Sequence, residues 1–408
     1  MRPRSTSTTM TRLSGAQRAR VLFGAGLLLT ATSGAASAQV ATVREIVDLL
    51  VTNQSVQTGD FVKDRAAAEA ASAALGQALL VSLTTLPTGA SSAGFTYRFN
   101  PSLGTLERTT TNFGPSFVER AVTSGRGRVA FGTTWQYASF TRLDDRRLRD
   151  EGLVTTANRF VDEAEAFDVE RLTMALRSQI VTGSATVGLT DRIDVAVAVP
   201  FVWLDLDGTR TDTYRGSSFL QAQATASSTG FGDIALRAKY HFFDQGGARL
   251  AAAGEVVLPT GREEDLLGAG RSATRVMAVA SVEREYVGVH ANVGLGFGGV
   301  SDEFTYAAAL TVAPAPRVTM AAEFTGRHLR DIGRISEIAA PHPLIAGVET
   351  VRLSAGTLGM NVVNAGGSFK WNVGGAWLVR GSVLMPGTSA GLTSRARTTI
   401  GVDYAFGQ

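Results

Sequence analysis

Residues 191–205 read DRIDVAVAVPFVWLD. Ile193, Val195, Val197, Val199, Phe201 and Trp203 occupy alternate positions, and Asp194 begins the intervening series. Strand side chains alternate between faces, so the stretch is a strand with one apolar face. The same period recurs at 232–243, where Ile234, Leu236, Ala238, Tyr240 and Phe242 oppose Asp233, Arg237, Lys239 and His241. It recurs again at 317–328 and at 397–406. These runs span about 10–14 residues, against about 5–6 for strands of soluble proteins and about 9–11 for a tilted strand crossing a bilayer. Aromatic residues gather near the ends of the segments: Trp203, Tyr240 with Phe242, Tyr286, Trp371, and Tyr404 with Phe406. Amphipathic rings of this kind suit a membrane interface.

From Arg128 onward the pattern gives twelve strands, and their connections alternate in length. Short turns fall at Thr190-Asp191, Asp244–Gly247, Tyr286-Val287, Ala313–Pro316 and Val373-Gly374. Long loops fall at 142–171, 206–230, 259–272, 298–303, 329–359 and 386–394. Bacterial barrels have short periplasmic turns and longer external loops. The expectation is an all-β chain: a transmembrane antiparallel up-and-down barrel over 128–408, with its C-terminus periplasmic. The strand count is twelve, or fourteen if Leu79–Leu86 and Gly94–Asn100 add a hairpin within the lead-in at 81–127.

Composition agrees. Charged residues make up 18% and glycine supplies 45 of 408 positions, against about 25% and about 7% in average soluble proteins. The absence of cysteine excludes disulfide scaffolds, thiolate metal sites and cysteine catalysis. After Gln39 no run of 18 apolar residues occurs, which excludes a helical span. The first 38 residues hold five arginines and no acidic residue, then the apolar run Val21–Ala31 and Ala36-Ser37-Ala38. This is the three-part pattern of a secretory signal peptide. Without those arginines the formal net charge moves from +3 to −2, so the chain carries no electrostatic footprint for nucleic acid. Residues 39–80 have helical spacing at Val43–Leu50 and in the alanine-rich Asp60–Leu80. They form a helical segment expected to sit at or inside the periplasmic mouth as a plug, or as a loose tail.

Two stretches carry a family resemblance. Residues 83–128 contain Gly94-Phe95-Thr96-Tyr97 and Phe113-Gly114-Pro115-Ser116-Phe117-Val118-Glu119-Arg120. Further on stand Gly230-Phe231-Gly232-Asp233-Ile234, Lys239-Tyr240 and Leu258-Pro259-Thr260-Gly261. The first resembles the N-terminal part of Gram-negative outer-membrane proteins. The second resembles the outer-membrane transporters labelled "MetA-pathway of phenol degradation", which are distantly similar to long-chain fatty-acid transporter barrels. The chain departs from the usual barrel terminus, because Gly407 and Gln408 follow the last aromatic, Phe406. The resemblance implies a porin-like outer-membrane barrel that passes small, apolar or aromatic molecules. The alternative is a structural or adhesin-like barrel that works through its external loops. The partners implied are the bilayer, lipopolysaccharide, the outer-membrane assembly machinery and a small-molecule solute.

Chemical motifs are weak. His241, His290, His328 and His342 lie in no ligand pattern, and the one Ser/His combination to consider is Ser281 with His290 or His241. Gly294–Gly299 lacks the helix and the acidic partner of a dinucleotide loop. Glu263-Glu264-Asp265 is a solvated loop or a calcium site, and Arg146, Arg147 and Arg149 form a loop paired with its own aspartates. No catalytic, metal or cofactor site is expected. The most usable signal is inward-facing charge, since lipid-facing Arg or Lys costs about 2–4 kcal/mol at mid-membrane. Arg177, Asp233, Arg237, Lys239, Glu283, Glu323, Arg327, Arg380, Arg397 and Asp403 are the lumen candidates, either for selectivity or for ion pairs across the barrel.

Overall fold

The computed structural model describes residues 41–51, 61–84, 90, 94, 97–100, 105–108, 112–342 and 344–406. The signal peptide expected over 1–38 lies outside the described residues. The wall consists of twelve staves, numbered β1–β12. They are β1 Val129–Leu143, β2 Ala166–Gly188, β3 Ile193–Tyr214, and β4 in two pieces, Ser217–Phe231 and Ile234–Gln245. β5 Ala248–Leu258, β6 Ala273–Arg284, β7 Val287–Gly298 and β8 Glu303–Ala315 follow. β9 Val318–Leu329, β10 Met360–Gly374, β11 Trp377–Pro386 and β12 Leu392–Phe406 complete it. Every neighbouring pair is antiparallel. Closure comes from β12 against β1, running from Phe406 opposite Val129 to Leu392 opposite Leu143. A closed wall leaves no unpaired edge, as lipid requires.

The outer face explains the alternation. Phe131, Trp135, Trp203, Leu236, Val293, Phe369, Trp371 and Ile400 are exposed there, forming an apolar band with aromatic rims. At the rim by the short turns, Trp377 and Tyr404 lie 4.6 Å apart and Tyr404 and Phe406 4.4 Å apart. Two helices, α1 Val43–Val51 and α2 Phe61–Thr84, are not part of the wall. α1 begins with a capping box, in which Thr42 Oγ1 accepts from the Glu45 amide at 3.2 Å and Glu45 Oε2 from the Thr42 amide at 2.7 Å. No described helix is long and apolar enough to cross a membrane.

The count of twelve holds, but the fourteen-strand alternative, the loops at 142–171, 206–230 and 329–359, and the place of Arg177 need correction. The first and last of those loops contain the paired strands Leu153–Phe160, Ser336–Pro341 and Val348–Ser354. Leu79 through Thr84 is helical, so Leu79–Leu86 supplies no barrel strand. Tyr97–Asn100 pairs instead with Thr105–Arg108 in a separate hairpin, and the barrel has twelve staves. Residues 206–230 are not a loop, because β3 and β4 continue through them as one hairpin. Its two-residue turn, Arg215-Gly216, has φ 47° and 83°. Both values are positive, the mirror-image turn that matches strand twist. Finally, Arg177 faces outward: it is exposed, while Leu176 and Ser178 beside it are buried, and it sits opposite Asp205 and Ser139. At this level the usual barrel pattern is inverted. The inner wall is apolar because the helices fill the lumen, and the outer wall is polar because it has passed the aromatic rim at Trp135 and Trp203.

Candidate functional site

The chain's own residues enter the lumen near both ends, with a cavity between them. Near the long loops, Val43, Val47, Leu50 and Val51 of α1 and Leu75, Leu79 and Leu83 of α2 pack on Phe140, Leu172, Met174, Leu176, Leu204 and Leu206. The fit is close: a Cβ on Gly208 of β3 would stand 2.3 Å from Leu50 Cδ1. Arg44 also pairs with Glu263 at 3.0 Å, so that carboxylate anchors α1. Among the described residues no cluster of three or more acidic or histidine side chains is arranged to hold a metal. The N-terminal helices therefore sit inside the barrel, at the end that carries the long loops.

Near the short turns, the extended segment 112–124 crosses the lumen without regular structure. Wall side chains take its backbone groups one after another. Thr319 Oγ1 accepts from Phe113 N at 2.9 Å, and Glu323 accepts from the amides of Ser116, Phe117 and Val118 at 2.9, 2.7 and 3.2 Å. Asn292 both accepts from Glu119 N and donates to its carbonyl. Asp194 accepts from Ser124 N at 2.8 Å. Lys370 donates to the carbonyls of Phe113 and Pro115, and Lys239 to that of Arg120. Arg120, wholly buried, donates twice to Glu283 at 2.9 and 2.7 Å. Gly114, at φ 73°, lies so close that a Cβ would stand 2.1 Å from Arg120 Cδ. A buried backbone without hydrogen bonds is costly, and here inward polar side chains supply what a sheet would.

The Ser/His pair falls in this layer. His290 Nδ1 and Ser281 Oγ are 2.9 Å apart and His290 Nε2 is 3.2 Å from Thr311 Oγ1, but Ser281 also accepts from the Ala121 amide at 3.0 Å. Both are buried, and neither lines the cavity. The arrangement anchors the crossing segment.

The cavity holds about 320 Å³ between α2, through Val81 and Leu83, and the crossing segment, through Ser116, Phe117 and Glu119. A chain of alternating charge runs along its wall. Arg237 pairs with Glu255, Arg275 with Glu255 at 2.7 Å and Glu303 at 2.6 Å, and Arg327 with Glu303. Arg380 pairs with Asp403 at 3.3 Å. Asp233, at the break in β4, accepts from Gly261 and Ala269 and ties in the 259–272 loop. Arg397 lines the cavity at 7% exposure. Of the lumen candidates, nine reach the interior and Arg177 does not. Arg249, Glu255, Arg275 and Glu303 join them, positions that the same alternation on β5, β6 and β8 would have flagged.

The loop end has its own polar contacts. Arg146 pairs with Glu337 of the short strand Ser336–Pro341 and Arg334 with Asp145, so the basic cluster is tied to the 329–359 connection as well as to its own Glu151. The Ser389 hydroxyl, and then Arg334, hold the Asp145 carboxyl below the ordinary range. Asp212 stands nine residues beyond Trp203, about 30 Å along the strand and outside the aromatic band. Burial, followed by its hydrogen bond to Asp168, pushes its carboxyl up to about 6.

Residues 150–331 match the family model described as a putative MetA-pathway of phenol degradation. The glycine-bearing motifs between 230 and 261 lie inside that span, and the 83–128 stretch precedes it. No curated protein matches the sequence. Among solved structures, the COG4313 outer membrane channel from Pseudomonas putida F1 is 12% identical, covering 70% of this chain and 98% of that one at TM-score 0.44. The translocator domain of autotransporter NalP from Neisseria meningitidis is 10% identical, with coverage of 69% and 89% and TM-score 0.34. OprB from Pseudomonas putida is 11% identical, with 69% and 93% and TM-score 0.27.

Proposed function

We propose that this chain is an outer-membrane channel or transporter for small molecules, apolar or aromatic ones among them, occluded at rest by its own N-terminal residues. The supporting observation is a cavity inside a closed barrel, between two segments of the same chain that are not part of the wall. Both segments can leave without breaking a wall strand pair. On this reading the apolar band meets the bilayer and the loop end meets lipopolysaccharide. The short turns and C-terminus face the periplasm, after export by the signal peptide and insertion by the assembly machinery.

A second reading has its own support. The chain's own residues enter the lumen near both ends, and β3 and β4 stand well beyond the aromatic rim, which suits a barrel acting through its loops. Planar-bilayer conductance separates the two. The full chain is compared with one lacking residues 41–124, with and without small aromatic solutes. Higher conductance in the shortened, heat-modifiable barrel, reduced by solute, supports transport. A shortened barrel that inserts normally and conducts no more than the full chain refutes it.

A further inference from the structure

Charge accounting inside the lumen leaves one residue over. Among the described residues, Arg120, Lys239 and Arg380 are buried with carboxylate partners, and Lys370 donates to two carbonyls. Arg210 lies 3.9 Å from Glu170. The Arg397 side chain is equally buried and lines the cavity, yet among the described residues it has neither an ion pair nor a hydrogen bond. An isolated buried charge is strongly unfavourable unless something compensates it. Six arginines and four carboxylates line the cavity; Asp403, the partner of Arg380, stands just outside the lining and Arg271 is exposed, so the buried excess is Arg397. The carboxylates are also engaged: Glu303 holds Arg275 and Arg327, and Glu255 holds Arg237 and Arg275.

The surroundings of Arg397 define what would fit. A guanidinium offers a planar fork of donors that matches a carboxylate. Thr399, two residues on along the stave, and Gln136, paired opposite it on β1, add hydroxyl and amide groups, and Leu392 and Leu83 of α2 supply apolar surface to the same cavity. The α2 end is fixed beside this wall, with Ser82 Oγ accepting from Leu392 N at 3.0 Å. A cavity near 320 Å³ is at the small end for ligand sites.

We propose that Arg397 is the anion-recognition residue of the lumen, and that the cavity takes a small organic monocarboxylate with an apolar body. This rests on the transport reading for its purpose but not for its test, which measures binding alone. The full-length protein in detergent is titrated with benzoate, hexanoate, benzamide and phosphate by calorimetry. Benzoate and hexanoate are expected to bind, with benzamide and phosphate at least tenfold weaker. Arg397→Gln should reduce carboxylate affinity tenfold or more, and Arg397→Lys should restore part of it. Arg397→Leu supplies a readout independent of ligand: removing an uncompensated charge should raise the unfolding temperature of the empty barrel, and benzoate should stabilise only the wild type. Equal benzoate binding by wild type and Arg397→Gln, tighter binding of benzamide or phosphate than of benzoate, or no carboxylate binding at all would overturn the proposal. None of these results bears on whether the 41–124 deletion conducts, so the two readings fail separately.

Discussion

Glu323→Ala tests the crossing segment at its most heavily used anchor. This carboxylate is 4% exposed and accepts from three consecutive backbone amides, with the Ser368 hydroxyl as a fourth donor. A hydrogen bond to a charged acceptor contributes about 1.5–3 kcal/mol, and a neutral one about 0.5–1.5. Ser116 and Phe117 border the cavity, so water entering there rehydrates part of what is lost. Taking about 1 kcal/mol per amide gives a loss of about 2–4 kcal/mol, or about 30- to 700-fold in the displaced population. The native chain has no cysteine, so Ser116→Cys gives a single reporter beside the anchor. Its maleimide labelling rate tracks displacement. The rate should rise by that factor in Glu323→Ala and by less in Glu323→Gln, which keeps an acceptor. A heat-modifiable double variant that labels within twofold of Ser116→Cys alone would show that Glu323 does not hold the segment.

Further expectations concern the wall and the loop end. Val197→Arg places a cation in the apolar band at a cost of about 2–4 kcal/mol, so its folding yield in lipid vesicles should fall, whereas Asp194→Asn should keep the barrel and loosen only Ser124. Equal yields would mean a face assignment wrong by one residue. Asp212 titrates near 6 when folded against 3.8 as the ordinary value. Its contribution is therefore complete below about 3.8 and is lost as pH rises through 6. Hydrogen exchange at the outer ends of β2 and β3, corrected for intrinsic rates, should quicken from pH 5 to 7.5, and Asp212→Asn should remove that step. Gly208→Val drives a side chain into Leu50, an overpacking cost of about 1–3 kcal/mol, and should make residues 41–51 protease-sensitive while the barrel stays intact.

The wall was legible wherever lipid dictates the side chains. All twelve staves were expected near their observed positions, because the bilayer demands an apolar residue at every second site. Legibility ended where lipid does. Beyond Trp203 the outer residues are Asp205, Asp207 and Thr209, and the hairpin continues by backbone pairing that hydropathy does not register. The same boundary explains Arg177, whose strand turns its apolar face inward to meet the helices. Inward charge was also legible, but its use was not. The partners of Glu323, Asp194 and Glu283 lie between 70 and 207 residues away in sequence, in a segment with no periodicity. Ser281 and His290 show the converse: the sequence brought them to notice, and only the Ala121 amide reveals that they hold the crossing segment.

The two closures differ in what opening them would cost. Unseating the helices exposes Val43, Val47, Leu50, Val51, Leu75, Leu79 and Leu83, each buried to 8% exposure or less. At about 1.5–3 kcal/mol per large apolar side chain, that exceeds 10 kcal/mol, and water offers no substitute contact. The crossing segment has no comparable apolar core. Phe113 packs on Leu378 and Ala121 on Ala251 and Val279, Val118 and Val122 add two smaller buried side chains, and the remaining anchorage is the buried Arg120–Glu283 ion pair and hydrogen bonds to polar side chains of the wall. The opening of lower free energy therefore lies at the short-turn end, and the cavity with Arg397 communicates with that side first. Two single reporters test the order. Ser116→Cys should label at least a hundredfold faster than Ala78→Cys, which faces the apolar cluster on α2. If Ala78→Cys labels first, the helices are the looser element and the lumen opens from the loop end.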